Sequence, residues 1–290
     1  MTTQPRITLL AGPTASGKSR LAMRLARETG ALIVNADSQQ LYADLRVLTA
    51  RPSPQDESEA EHALYGVADA ADAWSVGRWS RAALQQIQAA GDRPVVLVGG
   101  TGLYFMALTQ GLAEIPPVAD SIRAEMDRDF GALGEAEFRT RLARDDPASA
   151  GAIERGDRQR LVRAASVLRA SGRPLSAWRA DTRPLLPAAI WSGLVIEPDR
   201  SALYAACDAR VDTMIAGGAI EEVETLLARD LDPALPAMKA VGVRELAVWI
   251  TGEMTRATAV EALKQATRNY AKRQLTWFRN QTPDWPRTAP

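Results

Sequence analysis

The motif Gly12-Pro-Thr-Ala-Ser-Gly-Lys-Ser19 constrains the fold of this chain more than any other feature, because it has the pattern G-x-x-x-x-G-K-[ST]. It follows the apolar run Ile7–Ala11, which predicts a buried strand, and it opens a helical stretch from Lys18 to Glu28. In this context the glycines let backbone N–H groups converge on phosphate oxygens, and the helix N-terminus adds partial positive charge. The motif therefore predicts a loop that binds a diphosphate or a polyphosphate.

Two side chains of the loop add to this binding. Lys18 brings a full positive charge to the anion, and the Ser19 hydroxyl is suited to a Mg²⁺ ligand. The predicted diphosphate-binding residues are Gly12, Pro13, Thr14, Ala15, Ser16, Gly17, Lys18 and Ser19, with Ser19 also the predicted metal ligand. The loop alone leaves the chemistry open, since kinases and nucleotide hydrolases hold a nucleotide in the same way.

Further apolar runs alternate with helical patterns along the chain. Ala31–Asp37, Pro94–Val98 and Ile190–Ile196 predict three more strands, while Trp79–Ala90 and Ser201–Ala216 have helical spacing. Strands and helices in alternation are typical of a parallel sheet with helices on both faces. The predicted fold class is therefore α/β, a P-loop NTPase-like parallel sheet with a helical insertion.

The insertion separates the third and fourth predicted strands. It spans residues 116–187, and prolines at 116–117 and 184–187 mark both of its ends. Helical spacing recurs within it at Ile122–Phe130, Glu135–Leu142 and Arg158–Ala170. We predict a core formed by residues 1–115 and 188–290 and a separate helical subdomain formed by 116–187. The alternative is that these helices simply cover one face of the sheet.

The C-terminal part of the chain and the composition add further predictions. Arg256–Arg279 is the longest predicted helix, and Thr282–Pro290 has the character of a loose tail. One cysteine and one histidine exclude a zinc finger and an internal disulfide. No apolar run reaches the ~18 residues of a membrane span. We therefore predict a cytoplasmic monomer with no membrane partner, and the zero net charge means that any nucleic-acid site must come from local clusters.

Three more segments discriminate between functions. They are Asp37-Ser-Gln-Gln-Leu-Tyr42, Leu97-Val-Gly-Gly-Thr-Gly-Leu-Tyr104 and Lys272-Arg-Gln-Leu-Thr-Trp-Phe-Arg279. Together with Gly12–Ser19 they resemble the tRNA dimethylallyltransferase family, also called tRNA isopentenyltransferases. The resemblance spans nearly the whole chain in order and includes Thr49–Pro52, Glu61-His62, Asp157–Arg163 and Val241–Glu245. The C-terminal zinc finger of eukaryotic members is absent, which indicates the bacterial form.

The resemblance implies a reaction and its substrates. A dimethylallyl group would pass from its diphosphate to N6 of the adenine 3′ of the anticodon in tRNA, giving N6-isopentenyladenosine and diphosphate. The implied partners are the tRNA anticodon stem-loop and dimethylallyl diphosphate, with Mg²⁺ as cofactor. An exocyclic adenine amine is a poor nucleophile, and a carboxylate beside it can accept its proton. Asp37 matches the family's base; the alternative for Asp37 is a helix N-cap or an indirect Mg²⁺ contact.

Two further residues carry implied catalytic roles. Thr101 matches the family's threonine near the bridging oxygen and the target base, and Arg210 matches an arginine assigned to the diphosphate. The alternative for Arg210 is a solvated helix arginine. The sequence lacks the D-D-x-x-D motif of other prenyl synthases, since Asp145-Asp146 is followed by Pro147. Diphosphate binding therefore falls to the loop.

The predicted tRNA contacts combine polar residues near Asp37 with two basic segments, 155–173 and 256–279. Such clusters suit phosphate contacts, and the target adenine must be flipped out of its stack. The implied tRNA-binding residues are Asp37, Ser38, Gln39, Gln40, Thr101, Arg123, Gln159, Arg160, Leu161, Val162, Arg163, Lys239, Arg244, Lys272, Arg273 and Arg279. The alternative for the arginines is a solvated helix face paired with acidic neighbours. Trp277 and Phe278 either stack on bases or pack, and we predict core packing for at least one.

Three departures from the family pattern and three other functions bear on this prediction. Leu48 stands where the family commonly has a glycine, a usual arginine is replaced near Ala206, and Arg51 stands where the family has a lysine. The first two departures bear on the local geometry of the site and not on the class of activity. The chain could instead be a P-loop kinase, a prenyltransferase acting on free adenine nucleotide, or a nucleotide-dependent RNA-binding module. The segment Lys272–Arg279 argues against the kinase, the basic insertion against the free nucleotide, and Asp37 with Thr101 against a mere binding module.

Overall fold

One parallel sheet organises the larger part of the molecule. The structure is a computed structural model that describes residues 6–290. The strands are β1 (Ile7–Ala11), β2 (Leu32–Asn35), β3 (His62–Ala63), β4 (Val95–Gly99), β5 (Trp191–Ile196) and β6 (Arg287–Thr288), in the spatial order β3-β2-β4-β1-β5-β6. Every pairing is parallel, and Leu9 of β1 lies between Leu97 of β4 and Gly193 of β5.

Helices pack on both faces of this sheet. The helices of the chain are α1 (Lys18–Thr29), α2 (Pro54–Glu59), α3 (Val76–Ala89), α4 (Gly102–Thr109), α5 (Asp120–Asp145), α6 (Pro147–Ala152), α7 (Arg158–Ser171), α8 (Leu175–Ala180), α9 (Arg200–Ala216), α10 (Ala219–Leu227), α11 (Val243–Ile250) and α12 (Arg256–Gln281). Successive strand residues point to opposite faces, so Leu10 packs with Met23 of α1 while Leu9 packs in the larger core with Trp79 of α3. The predicted α/β fold is confirmed.

The chain divides into two compact units. Of the described residues, the larger unit contains 6–109 and 186–290, and the smaller contains 110–185. The smaller unit begins and ends a few residues before the predicted limits of the insertion. It holds α5 to α8 around its own core, which includes Phe138, Leu142 and Leu161. The two helices predicted at 122–130 and 135–142 lie on either side of Gly134 within α5, where the backbone is non-helical (φ 72°, ψ 166°), so the predicted break between them is confirmed.

Two short strands were not predicted. β3 and β6 contain two residues each, too few to show an alternating pattern. The prediction of a loose tail at 282–290 is wrong, because β6 pairs with the end of β5 and Val195 N–H donates to the Pro286 carbonyl over 2.9 Å. Trp285 anchors this segment: a Cβ on Gly193 would lie 2.3 Å from its indole ring, so only glycine leaves room for it.

Candidate active site at the carboxyl edge of the sheet

The phosphate loop connects the carboxyl end of β1 to the start of α1. Gly17 precedes the helix with φ 81°, in the left-handed region that favours glycine. Gly12 is tightly enclosed, because a Cβ there would lie 2.9 Å from Ser16 Oγ and 3.0 Å from the Ile196 carbonyl. Gly17 also has no side chain to cap the helix, so the first N–H groups of α1 are left for an anion. The loop thus has the geometry that the motif predicts.

Lys18 is a buried cation at the base of this loop. Its side chain is 8% exposed, and its Nζ donates to the Pro13 carbonyl over 3.1 Å. Burial lowers the pKa of Lys18 to about 8; nearby Asp37 opposes this shift and nearby Arg210 adds to it. An anion bound in the loop would restore the stability of the charged form. Lys18 is therefore placed to respond to a phosphate group.

Asp37 follows β2 and is 7% exposed. The neighbouring Asn35 fixes its backbone: Asn35 Oδ1 accepts the Asp37 N–H over 2.7 Å, and Asn35 Nδ2 donates to the Asp37 carbonyl over 3.0 Å. Asp37 Oδ1 accepts the N–H of Gln39 over 3.0 Å at the start of one 3₁₀ turn, Gln39–Leu41. Within residues 6–290, Oδ2 has no hydrogen-bond partner, so one carboxylate oxygen shapes the turn and the other remains for a substrate.

Thr101 lies against the Asp37 turn. Its Oγ1 accepts the Ser38 N–H over 2.9 Å, and its N–H donates to the Ala36 carbonyl over 3.2 Å. This approach requires glycine at position 99, where a Cβ would lie 2.0 Å from the Ala36 carbonyl oxygen. The turn after β4 therefore carries Thr101 to Asp37, as the resemblance implies.

Arg210 of α9 points toward the same edge and is not a solvated helix arginine. Its Nη2 donates to the Thr49 carbonyl over 2.9 Å, and it lines a small cavity together with Thr14, Asp37 and Tyr270. Burial lowers the pKa of Arg210, and the charge of Asp37 opposes that shift. Three charged groups thus meet here, two cations and one carboxylate.

Two tyrosines of this region were not predicted. Tyr270 of α12 lines the small cavity beside Asp37, and Tyr65 lines a second cavity of about 310 Å³ that also contains Ser19 and Arg51. The pKa values of both phenols are raised by burial and then by the negative charge of Asp37, so both stay neutral donors. No motif in the sequence marks them, because each reaches Asp37 only through tertiary packing.

The departures at Leu48 and Arg51 are accommodated. Leu48 is buried, and its Cδ1 lies 2.7 Å from the position of a Cβ on Gly242, which has φ 105°. Glu222 accepts the N–H groups of Val47 and Leu48 over 2.7 and 2.9 Å and holds this loop. Arg51 keeps a cation where the family has lysine. Ala206 lies on α9 next to the buried Cys207.

The two glutamines predicted to read a base edge already have protein partners. Gln40 Nε2 donates to the Thr49 and Ala50 carbonyls over 2.9 and 2.8 Å, and Gln39 Oε1 accepts the Val241 N–H over 3.3 Å. In this structure the Gln40 side chain therefore holds the loop after Leu48, and the Gln39 side chain holds the segment before α11. Contact with RNA stays a prediction for both, and Ser38 lies between them and Thr101.

Basic residues of the larger unit fall into two groups. Lys239, Arg244, Lys272 and Arg273 are exposed and form no ion pair with any residue of 6–290, and Arg273 lies over the Tyr270 ring at 5.7 Å. Arg279 instead pairs with Glu197 over 2.6 Å, and Arg268 pairs with Asp208 over 2.5 Å. The sequence hid these pairs, because their acidic partners lie on other elements.

The predicted RNA-binding residues of the smaller unit divide in the same way. Arg123 pairs with Asp120 and Arg160 with Asp157, each over 3.1 Å. Arg163 is exposed and has no acidic partner in the part of the chain that the structure describes. Gln159 is exposed and Val162 partly buried, whereas Leu161 is 0% exposed. The Leu161 side chain packs in the core of this unit and is not available to RNA.

Among residues 6–290, no group of three or more His, Cys, Asp and Glu side chains could hold a metal ion. None of the described helices is both long and apolar enough to cross a membrane.

Comparisons with family models and curated sequences give one consistent result. The model described as IPP transferase matches residues 40–281, and the one described as isopentenyl transferase matches residues 5–66. The chain is 60% identical over 287 residues to a tRNA dimethylallyltransferase of Phenylobacterium zucineum (strain HLK1), covering 98% of this chain and 92% of the relative. It is 56% identical over 284 residues to a tRNA dimethylallyltransferase of Caulobacter sp. (strain K31), covering 97% and 92%.

Solved structures agree with the sequence comparisons. The full-length tRNA isopentenylpyrophosphate transferase of Bacillus halodurans is 28% identical and superposes with a TM-score of 0.67, covering 99% of this chain and 90% of that one. A eukaryotic dimethylallyltransferase acting on tRNA superposes with a TM-score of 0.82, covering 98% and 73%. At 21% identity this last likeness supports the fold alone.

Proposed function

This chain belongs to the tRNA dimethylallyltransferase family, and we propose that it transfers a dimethylallyl group from dimethylallyl diphosphate to N6 of the adenine 3′ of the anticodon in tRNA. The observation that supports this most is the meeting of Lys18, Arg210 and the free oxygen of Asp37 at one edge of the sheet. Prenyl transfer needs positive charge on one side of the reacting carbon and a proton acceptor on the other.

Asp37 acts on the nucleophile. As the bond forms between N6 and the allylic carbon, the amine loses a proton, and Asp37 Oδ2 takes it. The hydrogen bonds from Asn35 and Gln39 hold the carboxylate still, so little reorganisation is needed in the transition state. The burial of Asp37 excludes water that would otherwise solvate the carboxylate.

The leaving group departs toward the phosphate loop. As the carbon–oxygen bond breaks, the electron pair goes to the diphosphate, and Lys18, Arg210 and the loop N–H groups stabilise the growing negative charge. Lys18 leaves the Pro13 carbonyl to bind a phosphate oxygen, which replaces a neutral partner by an anion. The Thr101 hydroxyl, which donates to Ser38 Oγ over 3.2 Å in this structure, would turn from that partner to donate to the bridging oxygen.

Magnesium fits this site as a shared ion. Ser19, whose hydroxyl is exposed directly after Lys18, would hold the ion, and diphosphate oxygens and water would supply its other ligands. Such a ligand set is typical of Mg²⁺ bound through substrate phosphates. When bound, the ion neutralises part of the charge on the leaving diphosphate.

The acceptor is the anticodon stem-loop of tRNA, with the target adenine flipped out. Residues Arg163, Lys239, Arg244, Lys272 and Arg273 carry guanidinium or ammonium groups that have no acidic partner within residues 6–290, so we propose them as the phosphate contacts. Arg123, Arg160 and Arg279 would first have to leave their ion pairs. A cytoplasmic location and a monomeric state remain predictions.

One experiment separates this function from the alternatives. The protein is incubated with Mg²⁺ and radiolabelled dimethylallyl diphosphate together with unmodified tRNA, with free AMP, or with neither, and ATP consumption is followed in parallel. We expect label in tRNA alone and no ATP turnover. Label in AMP would favour the free-nucleotide prenyltransferase, and ATP turnover comparable to label transfer would favour a kinase or hydrolase.

A further inference from the structure

Gln274 of α12 lies on the buried face of its helix, beside Ala271 and Leu275. Its side chain is 5% exposed, whereas Lys272 and Arg273 just before it are exposed. A buried amide needs partners for both its oxygen and its nitrogen, because an unpaired buried polar group destabilises the folded state. The hydrogen-bond partners of the Gln274 side chain therefore indicate its role.

Both partners of Gln274 belong to the active site. Gln274 Oε1 accepts the N–H of Thr14 in the phosphate loop over 2.8 Å, and Nε2 donates to the Gly100 carbonyl over 3.0 Å. The fit is close: a Cβ on Gly100 would lie 2.0 Å from Nε2 and 3.3 Å from the Gly12 carbonyl. One side chain thus joins the loop after β1 to the turn after β4.

The turn after β4 is in turn bonded to the Asp37 segment. Thr101 N–H donates to the Ala36 carbonyl, and Thr101 Oγ1 accepts the Ser38 N–H, over 3.2 and 2.9 Å. A continuous path of hydrogen bonds therefore runs from Thr14 through Gln274, Gly100 and Thr101 to the residues on both sides of Asp37. The phosphate loop and the carboxylate sit at the two ends of this path.

We propose that Gln274 is a positioning residue that sets the phosphate loop relative to Thr101 and Asp37. This inference rests on the proposed function. Transfer needs the leaving diphosphate, the allylic carbon and the attacking amine in line, and a displacement near 1 Å can cost about 100-fold in rate. Gln274 fixes the donor end of that line by using the Thr14 N–H and the Gly100 carbonyl together. A glutamine with a purely structural role would form hydrogen bonds away from the phosphate loop and the Thr101 turn. A glutamine that binds tRNA would point to solvent.

Two substitutions test this role. Gln274→Met keeps the length and removes both hydrogen bonds, and Gln274→Glu keeps the shape but loses the donor to Gly100. Gln265→Met is the matched control on the same helix, because Gln265 is exposed and bonds only to Asn269 and Arg268. With saturating tRNA, we expect kcat/KM for dimethylallyl diphosphate to fall about 10- to 100-fold in both Gln274 variants. Inhibition by inorganic diphosphate should weaken, and the Kd for tRNA should stay within about twofold of wild type.

Other outcomes would overturn the proposal. Weaker tRNA binding with unchanged donor kinetics would make Gln274 an RNA contact, and a lower Tm with unchanged donor kinetics would make it structural. A double-mutant cycle with Thr101→Val adds a sharper criterion, since residues that act through one another have non-additive effects. Additive losses would contradict the coupling. If wild type transferred no label to tRNA, the proposed function would fail, whereas weaker binding of inorganic diphosphate to Gln274→Met would still support the positioning role.

Discussion

The phosphate-loop region and the basic surface residues differ in how their charge is organised. At the loop Lys18 is buried, at 8% exposed, and the partly buried Arg210 reaches the Thr49 carbonyl from α9. On the surface many arginines pair with acids, as Arg279 does with Glu197 and Arg160 with Asp157. Only a subset, such as Arg163 and Arg273, has no acidic partner in the described chain.

The difference shows which charged side chains indicate a bound ligand and which do not. A buried cation without a paired acid is costly unless an anion arrives, so Lys18 indicates a ligand. An exposed arginine in an ion pair gains about 0–1 kcal/mol and indicates nothing about a ligand. The number of arginines in a segment therefore overstates its ability to bind RNA. Arginines without an acidic partner in the described chain are the better candidates for phosphate contacts.

The largest expected effect comes from Asp37→Asn. Asparagine keeps the oxygen that accepts the Gln39 N–H but loses the proton acceptor, so the single-turnover rate should fall about 10²- to 10⁴-fold. Filter binding should give an unchanged Kd for tRNA. Asp72→Asn, at an exposed carboxylate paired with Arg78, is the control and should be as active as wild type. Loss of rate and binding together would make Asp37 an RNA anchor.

The second largest effect is expected from Lys18→Ala, which should weaken the binding of dimethylallyl diphosphate. Removing a charge-assisted hydrogen bond to a phosphate oxygen should raise the KM for dimethylallyl diphosphate about 10- to 100-fold. Inhibition by inorganic diphosphate should weaken in parallel, while the Kd for tRNA stays at the wild-type value. An unchanged donor KM in a folded variant would remove Lys18 from the diphosphate site.

The lowered pKa of Lys18 predicts a pH dependence. Donor binding needs the charged form, and burial places the pKa near 8, so the charged fraction is complete below pH 7 and falls as pH rises through 8. The value of kcat/KM for the donor should then decline about tenfold per pH unit above 8. Lys18→Arg keeps its charge over this range, and its profile should be flat there. An equally steep decline in that variant would assign the titration elsewhere.

The smallest effects belong to the surface arginines. Arg163→Ala and Arg273→Ala should each lower the slope of log Kd for tRNA against log salt by about 0.7–0.9, the share of one phosphate contact. Arg160→Ala is the matched control, because its guanidinium already pairs with Asp157. Wild-type slopes in Arg163→Ala and Arg273→Ala, with unchanged Tm, would exclude these two arginines from the tRNA site.

The sequence predicts the loop and the two turns of the site, because each is formed by residues that are adjacent in the chain. The loop Gly12–Ser19, the Asp37 turn and the turn before Thr101 each lie directly after a buried apolar strand. Parallel strands end at one edge of a sheet, so the turns after them meet there. This is why Asp37 and Thr101 lie near the phosphate loop.

Tertiary packing decided what the sequence could not predict. Gln274 and Tyr270 enter the site only because α12 packs across it, and neither lies in a pattern with chemical meaning of its own. The acids that pair with Arg268 and Arg279 lie 60 and 82 residues away in sequence. Trp285 packs against Gly193 and the two-residue strand β6 pairs with β5, contacts that no local sequence pattern indicates, so the prediction of a loose tail is wrong.

The most direct test of the account identifies the product and its position. Unmodified tRNA is incubated with the protein, Mg²⁺ and dimethylallyl diphosphate, then cleaved at defined sites, and the nucleosides of each fragment are identified by mass spectrometry. The account predicts N6-isopentenyladenosine in the anticodon fragment alone, at the adenine 3′ of the anticodon, and about 10²- to 10⁴-fold less of it with Asp37→Asn when both reactions are stopped within the first turnover. Unmodified adenine there with the wild-type protein, or equal product with Asp37→Asn, would contradict it.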